Sequence, residues 1–146
     1  MDIEISEITE DNFIEAIRLK VKPDQENYVA SNAVSLAQSK FQPFLRCIGI
    51  FDGDVMVGFS AFGQNPEDGT IWIVRHMVGE QYQGQGYGKK GLQALISHLQ
   101  SAYQCDKIYL DVVPDNQVAI NLYQGAGFVD TGKIQGHSRV FELNIG

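Results

Sequence analysis

Apolar and polar residues alternate through Ile3–Ile8 (IEISEI), a period of two that predicts a strand. Thr9 then offers a helix cap, and Phe13, Ile14, Ile17 and Val21 recur at helical spacing, predicting a helix that Pro23 interrupts. Glu26–Phe41 (ENYVASNAVSLAQSKF) predicts a second, shorter helix, broken by Pro43. Leu45–Gly63 predicts two strands joined at Asp52-Gly53, a dipeptide that tolerates the left-handed backbone of a tight hairpin turn. After a turn at Asn65–Gly69, Thr70–Val78 (TIWIVRHMV) is a run of β-branched and aromatic residues and predicts another strand. Leu92, Leu95, Ile96, Leu99 and Tyr103 then line one face of a helix. Lys107–Val113 predicts a strand, Pro114–Gly127 a helix with Asp115 or Asn116 near its start and glycines at its end, and Phe128–Ile134 and Ser138–Ile145 two closing strands.

Antiparallel hairpins surrounding one strand-helix-strand unit predict an α+β, or mixed α/β, fold. The 146 residues favour a single domain over 1–146, without repeats or linkers. The net charge of −7 argues against nucleic acid as a partner and would draw cationic ones. No apolar run is long enough to span a membrane, and the acidic opening MDIEISEITEDNF is no signal peptide, so a soluble, cytoplasmic protein is expected. Cys47 and Cys105 then read as reduced structural thiols. His76, His98 and His137 lack ligand spacing, and although His76 and Glu80 lie four apart, they fall on a strand and turn; no metal site is expected.

The stretch Tyr82–Leu99 (YQGQGYGKKGLQALISHL) places Gly84, Gly86, Gly88 and Gly91 at the start of a predicted helix. Glycine weakens a helix interior by about 1 kcal/mol relative to alanine. A close-packed turn is one explanation. Another is an anion held against backbone N–H groups at a helix N-terminus, which would also offset Lys89 and Lys90 in the first turn. A P-loop is excluded because Gly88-Lys89-Lys90 supplies no Ser or Thr hydroxyl. Gly86–Gly91 (GYGKKG) fits a dinucleotide fingerprint, with Asp111 as the ribose acid, but mostly antiparallel chain precedes it and only 35 residues follow Asp111.

Gln83–Gly88 also matches Q/R-x-x-G-x-G/A, and downstream stands DNQVAINLYQGAGF, with Asn116, Ala119, Ile120, Leu122, Tyr123, Gly127 and Phe128 in the pattern N-x-x-A-I-x-L-Y-x-x-x-G-F. Together these resemble the two motifs of the GNAT N-acetyltransferase family, in the family's order and within its element order over nearly the whole chain. The resemblance implies a mostly antiparallel sheet of about seven strands flanked by about four helices. VKPDQENYVASN and WIVRHMVGEQYQGQGYGKKGLQALISHL are further similar to the bacterial diamine, spermidine and spermine acetyltransferase branch, although that branch tends to carry an acid where this chain has Val74.

What the resemblance implies is acetyl transfer from acetyl-CoA, without a metal, to a primary amine, with a polyamine as the expected acceptor. Backbone groups of Met77 and Val78 would hold the pantetheine arm. Gln83, Gly84, Gln85, Gly86, Tyr87, Gly88 and Lys89 would hold the pyrophosphate, and Asn116 would contact the CoA arm. Tyr123 would be the general acid toward the leaving sulfur, and Tyr28, Trp72 and Arg75 would line the acceptor side. Glu80, Asp111 and Glu26 stand open as the proton acceptor. Another acceptor (a protein amine, an amino acid or an antibiotic) and a non-catalytic acetyl-CoA-binding module are the alternatives, and a homodimer is allowed.

Overall fold

The computed structural model describes residues 1–146. Seven strands, β1 (Ile3–Glu7), β2 (Leu45–Asp52), β3 (Val55–Gln64), β4 (Ile71–Val78), β5 (Lys107–Val112), β6 (Val129–Gln135) and β7 (Ser138–Asn144), form one sheet in the order β1-β2-β3-β4-β5-β7-β6. Every neighbouring pair is antiparallel except β4 and β5. Four helices flank it: α1 (Phe13–Arg18), α2 (Asn32–Phe41), α3 (Tyr87–Tyr103) and α4 (Gln117–Gly125). The expected mixed α/β class and element count hold.

Each sheet face buries a helical layer. On one, Leu92, Leu95 and Leu99 of α3 are 0% exposed against Ile48, Ile50, Val57, Ile73 and Ile108, each such side chain contributing about 1.5–3 kcal/mol. On the other, Ala16 and Leu19 pack with Met56, Phe59, Ala61 and Met77.

The first two helices differ from the predicted ones. α1 stops at Arg18, with Asn12 in the cap position, while Thr9 makes a local turn in which its N–H donates to Asn12 Oδ1 at 2.7 Å. Its buried stripe is Ala16 and Leu19, and Phe13 and Ile14 are exposed, because the small Ala16 lets the helix approach the sheet closely. α2 starts at Asn32 rather than Glu26: the Ser31 hydroxyl accepts from Val34 N–H at 3.2 Å, leaving Glu26–Ala30 as an irregular strap after a 3-10 turn at Pro23–Gln25. Asn32, buried, donates to the carbonyls of Ala16 at 2.9 Å and Leu19 at 3.3 Å, fastening the second helix to the end of the first.

Two irregularities make room for a site. A bulge leaves Val74 without a partner on β3, since Ala61 pairs with Arg75 but Phe62 with Ile73. The parallel pair β4–β5 is in register only at Trp72 and Tyr109, whose rings stack at 5.4 Å. Beyond that point the two strands part.

Candidate functional site

The gap between the diverging strands is a cavity of about 950 Å³. Its wall includes Gln83, Gly84, Gly88 and Asn116, and also Phe44, Asn65, Glu67 and Ser138.

α4 carries Tyr123 into its wall, and the chain after the helix fixes the position. Gly127, with φ of +103°, adopts the left-handed backbone that only glycine accepts readily. The N–H of Phe128 then donates to Tyr123 O at 3.0 Å, and that of Gly127 to Gln124 O at 3.0 Å, the two bonds of a Schellman cap. The Phe128 ring meets the Tyr123 ring edge-on at 5.9 Å. The Gly127-Phe128 pair of the sequence pattern is thus the device that holds Tyr123. At the other end of α4, Asn116 Oδ1 accepts from Ala119 N–H at 3.4 Å.

Tyr123 is 8% exposed, and burial together with the charge of Asp111 pushes its hydroxyl up to about 12. Asp111, at the end of β5, lines the same cavity; partial burial raises its carboxyl, while Arg75 opposes the shift. Asp111 stays open to the cavity space, so that shift is smaller than a closed site would give. Tyr123, Asp111 and Arg75 thus share the wall of one cavity.

The four glycines have different duties. Gly86, at the cap position of α3 with φ of +91°, and Gly84, with φ of +77°, form a left-handed loop in which added Cβ atoms would project into nearly open space. No side chain caps α3, so its first N–H groups have no side-chain partner. Gly88 lines the cavity. Gly91 serves packing alone: a Cβ there would come within 3.1 Å of Ile50. A pyrophosphate could be held on this loop, and a pantetheine arm along the cleft edge of β4.

That edge can be assigned from the ladder. Gly79 N–H donates to Val57 O on β3 at 2.9 Å, and bonds in an antiparallel ladder alternate. The backbone groups of Met77 and Arg75 therefore face β3, and those of His76 and Val78 face the cleft. Of the two predicted pantetheine contacts, Val78 presents its backbone to the cleft. Met77 does not, and its place falls to His76. The His76 ring is buried and neutral, pushed down to about 4 by burial. Its Nε2 lies 3.3 Å from Gly88 O and its Nδ1 2.7 Å from Ser60 Oγ. A carbonyl only accepts, so Nε2 carries the proton and Nδ1 accepts from Ser60.

The cavity also gathers Tyr28, Trp72 and Arg75, all predicted for the acceptor side. Gln85, Gly86, Tyr87 and Lys89 lie outside its wall. Tyr87 instead donates its hydroxyl to Asp52 Oδ2 at 2.5 Å, tying α3 to the β2–β3 turn. Of the three acids left open by sequence, Asp111 alone lines the cavity, whereas Glu26 and Glu80 are exposed elsewhere. Both cysteines are free, and burial raises the Cys47 thiol, which keeps it from acting as a nucleophile. Sequence reading missed Gln25, whose amide pairs with Gln83 across the chain; only the fold brings them together.

A sequence model of the acetyltransferase (GNAT) family matches residues 5–128. The chain is 37% identical over 140 residues to the spermine/spermidine N(1)-acetyltransferase of Bacillus subtilis (strain 168), covering 92% of each. Among solved structures, the spermidine N-acetyltransferase of Vibrio cholerae in complex with CoA and spermine superposes with a TM-score of 0.74 at 16% identity, covering 97% of this chain and 93% of that one. The PaiA N-acetyltransferase of Thermoplasma acidophilum in complex with coenzyme A gives 0.69 at 17% identity, covering 99% of both. At such identities the likeness in structure speaks for the fold.

Proposed function

The chain belongs to the GNAT acetyltransferase family, and we propose that it transfers the acetyl group of acetyl-CoA to a primary amine of a polyamine such as spermidine or spermine. The observation that carries the reading is the convergence of Asp111, Arg75 and Tyr123 at the parting of β4 and β5. The Bacillus subtilis relative, named for spermine and spermidine, supports the acceptor class. So do the net charge of −7 and the two carboxylates in the cavity wall, Asp111 and Glu67.

Acetyl-CoA, when bound, supplies an activated acetyl thioester. The chain's residues hold it and manage two protons. The α3 loop from Gln83 to Lys89 takes the pyrophosphate on its free N–H groups, with Gly84 and Gly86 keeping side chains out of the way. The backbone of His76 and Val78 aligns the pantetheine arm, and Asn116 borders it. Tyr28, Trp72 and Arg75 line the path of the amine.

An aliphatic amine arrives protonated, with a pKa of about 10, and must lose a proton before its nitrogen can attack. Asp111 accepts that proton. As the C–N bond forms and the C–S bond breaks, Tyr123 donates its hydroxyl proton to the departing sulfur. Transfer from a phenol near 12 to a thiolate whose acid sits near ~8.5 is uphill by about 5 kcal/mol if completed stepwise in water. One feature reduces that: Asp111 loses its charge on taking the amine proton, which removes one of the two causes of the high Tyr123 value.

The test is a panel of amine acceptors with acetyl-CoA, read as CoA released. Spermine, spermidine and putrescine are expected to exceed neutral-tailed amines in kcat/KM, and to lose more of it as salt rises, because the Debye length falls from about 10 Å at 0.1 M to about 3 Å at 1 M. Parity between polyamines and neutral-tailed amines would remove the acceptor assignment and leave acetyl transfer in place.

A further inference from the structure

The two substrate sites are joined by a pair of side-chain amides. Gln25 Nε2 donates to Gln83 Oε1 at 3.3 Å, and Gln83 Nε2 donates back to Gln25 Oε1 at 2.9 Å. Gln83 Nε2 also donates to Val78 O at 2.9 Å, on the cleft edge of β4. Gln25 Oε1 further accepts from Lys22 N–H at 3.1 Å, closing the 3-10 turn Pro23–Gln25. Every polar atom of the pair is engaged, across 58 residues of chain.

The two residues belong to different sites. Gln83 is the last residue before the left-handed loop at Gly84. Gln25 leads into the strap Glu26–Ala30, whose Tyr28, Val29 and Ala30 line the acceptor part of the cavity. Within the strap Glu26 N–H donates to Pro23 O at 3.4 Å and Tyr28 N–H to Gln25 O at 3.0 Å, and Ser31, which caps α2, holds its far end. Lys20 O accepts from Glu80 N–H at 2.7 Å, but that bond lies on the far side of Pro23 from the strap. The amide pair is therefore the direct link from the α3 loop to the residues that face the amine.

We propose that Gln25 is a positioning residue that couples acetyl-CoA binding to the ordering of the acceptor strap. This rests on reading the cleft as a two-substrate site. Phosphates on the α3 loop fix Gly84–Gly88, hence the backbone of Gln83, hence the direction of its amide. With Gln83 fixed, the partner amide and the turn it closes lose their alternatives, and the strap is held at both ends. A ligand shifts an equilibrium only through a difference in its contacts with the two states; here that difference is carried by the two reciprocal hydrogen bonds.

Hydrogen exchange with CoA alone tests the link without any acceptor. In the wild-type chain, CoA is expected to slow amide exchange across Glu26–Ala30 about tenfold, as well as in Gln83–Lys90. In Gln25→Ala the loop keeps its protection and the strap loses it. Gln25→Asn, polar but one methylene too short to reach, is expected to behave like Gln25→Ala. In turnover, Gln25→Ala is expected to raise the acceptor KM about three- to tenfold with kcat changed less than about twofold, and to weaken acetyl-CoA binding by a comparable factor because the coupling is reciprocal. A general loss of folding would not split the constants in that way. Strap protection that persists in Gln25→Ala, or is absent from the wild-type chain, overturns the proposal. If exchange behaves as expected and polyamines are not acceptors, the coupling stands and the acceptor assignment falls.

Discussion

Asp111, at the end of β5, and Tyr123, on α4, line the wall of one cavity, and the carboxylate charge joins burial in holding the phenol near 12, while burial raises the carboxylate itself. A proton taken up by Asp111 weakens the hold on the proton of Tyr123. In the proposed reaction, uptake from the amine and delivery to sulfur are thereby linked.

Replacing Tyr123 by Phe keeps the ring, its edge-on contact with Phe128 and the helix cap, and removes only the proton. Turnover is expected to fall about 10²–10⁴-fold, with acetyl-CoA affinity within twofold of wild type. Single-turnover kinetics, where chemistry sets the rate, checks it; a near-normal rate would make Tyr123 a packing residue.

Asp111→Asn removes the proton acceptor and a source of the high Tyr123 value. The wild-type kcat/KM is expected to fall as the pH drops through the titration of Asp111, whose carboxyl burial raises. The variant is expected to be slower by about 10²-fold or more, and to lack that acid limb. A pH–rate profile that keeps the limb in Asp111→Asn would point to another base.

Gly88→Ala separates binding from folding. The residue is helical, so alanine is expected to raise helix stability by about 1 kcal/mol, and its Cβ would lie in ordinary contact at 3.8 Å from Leu122. The same methyl narrows the cleft where the α3 loop meets β4. A melting temperature at or above wild type with acetyl-CoA affinity lowered about tenfold is expected, by calorimetry. Unchanged affinity would remove Gly88 from the binding wall.

His76 gives the fold an acid limit. Its value is about 4 in the folded chain and 6.5 when free, so between those pH values the unfolded chain holds the extra proton. Its contribution is fully present above about 6.5 and is lost as pH falls toward 4, on the order of 3 kcal/mol in all. Denaturant unfolding from pH 7 to 4 is expected to show this slope in the wild type and a shallower one in His76→Gln. Equal slopes would mean the ring titrates freely.

What could be read from the sequence was whatever is local. The Asp52-Gly53 hairpin, the left-handed glycines before α3, and Tyr123 with its Gly127-Phe128 cap are each written in a few adjacent residues, and each is found in the fold. Long-range geometry was not legible. Nothing local says that Ala16 and Leu19, rather than Phe13 and Ile14, face the sheet; that depends on how close β3 and β4 come. The choice among Glu26, Glu80 and Asp111 turns on which strand end opens onto the cavity. The resemblance implied Met77 and Val78 together, yet adjacent backbone groups on a strand face opposite ways, and the ladder turns those of His76 and Val78 to the cleft.

The early end of the β4–β5 ladder has a cost outside catalysis. From Ile73 to Val78 the chain carries, in the middle of its sheet, the kind of bare strand margin that proteins usually keep short, charged or covered at their borders. An extended amide-bearing arm laid along it completes the sheet, and any other extended peptide could do the same. A pantetheine arm bound as proposed would cover that margin as well as present the thioester.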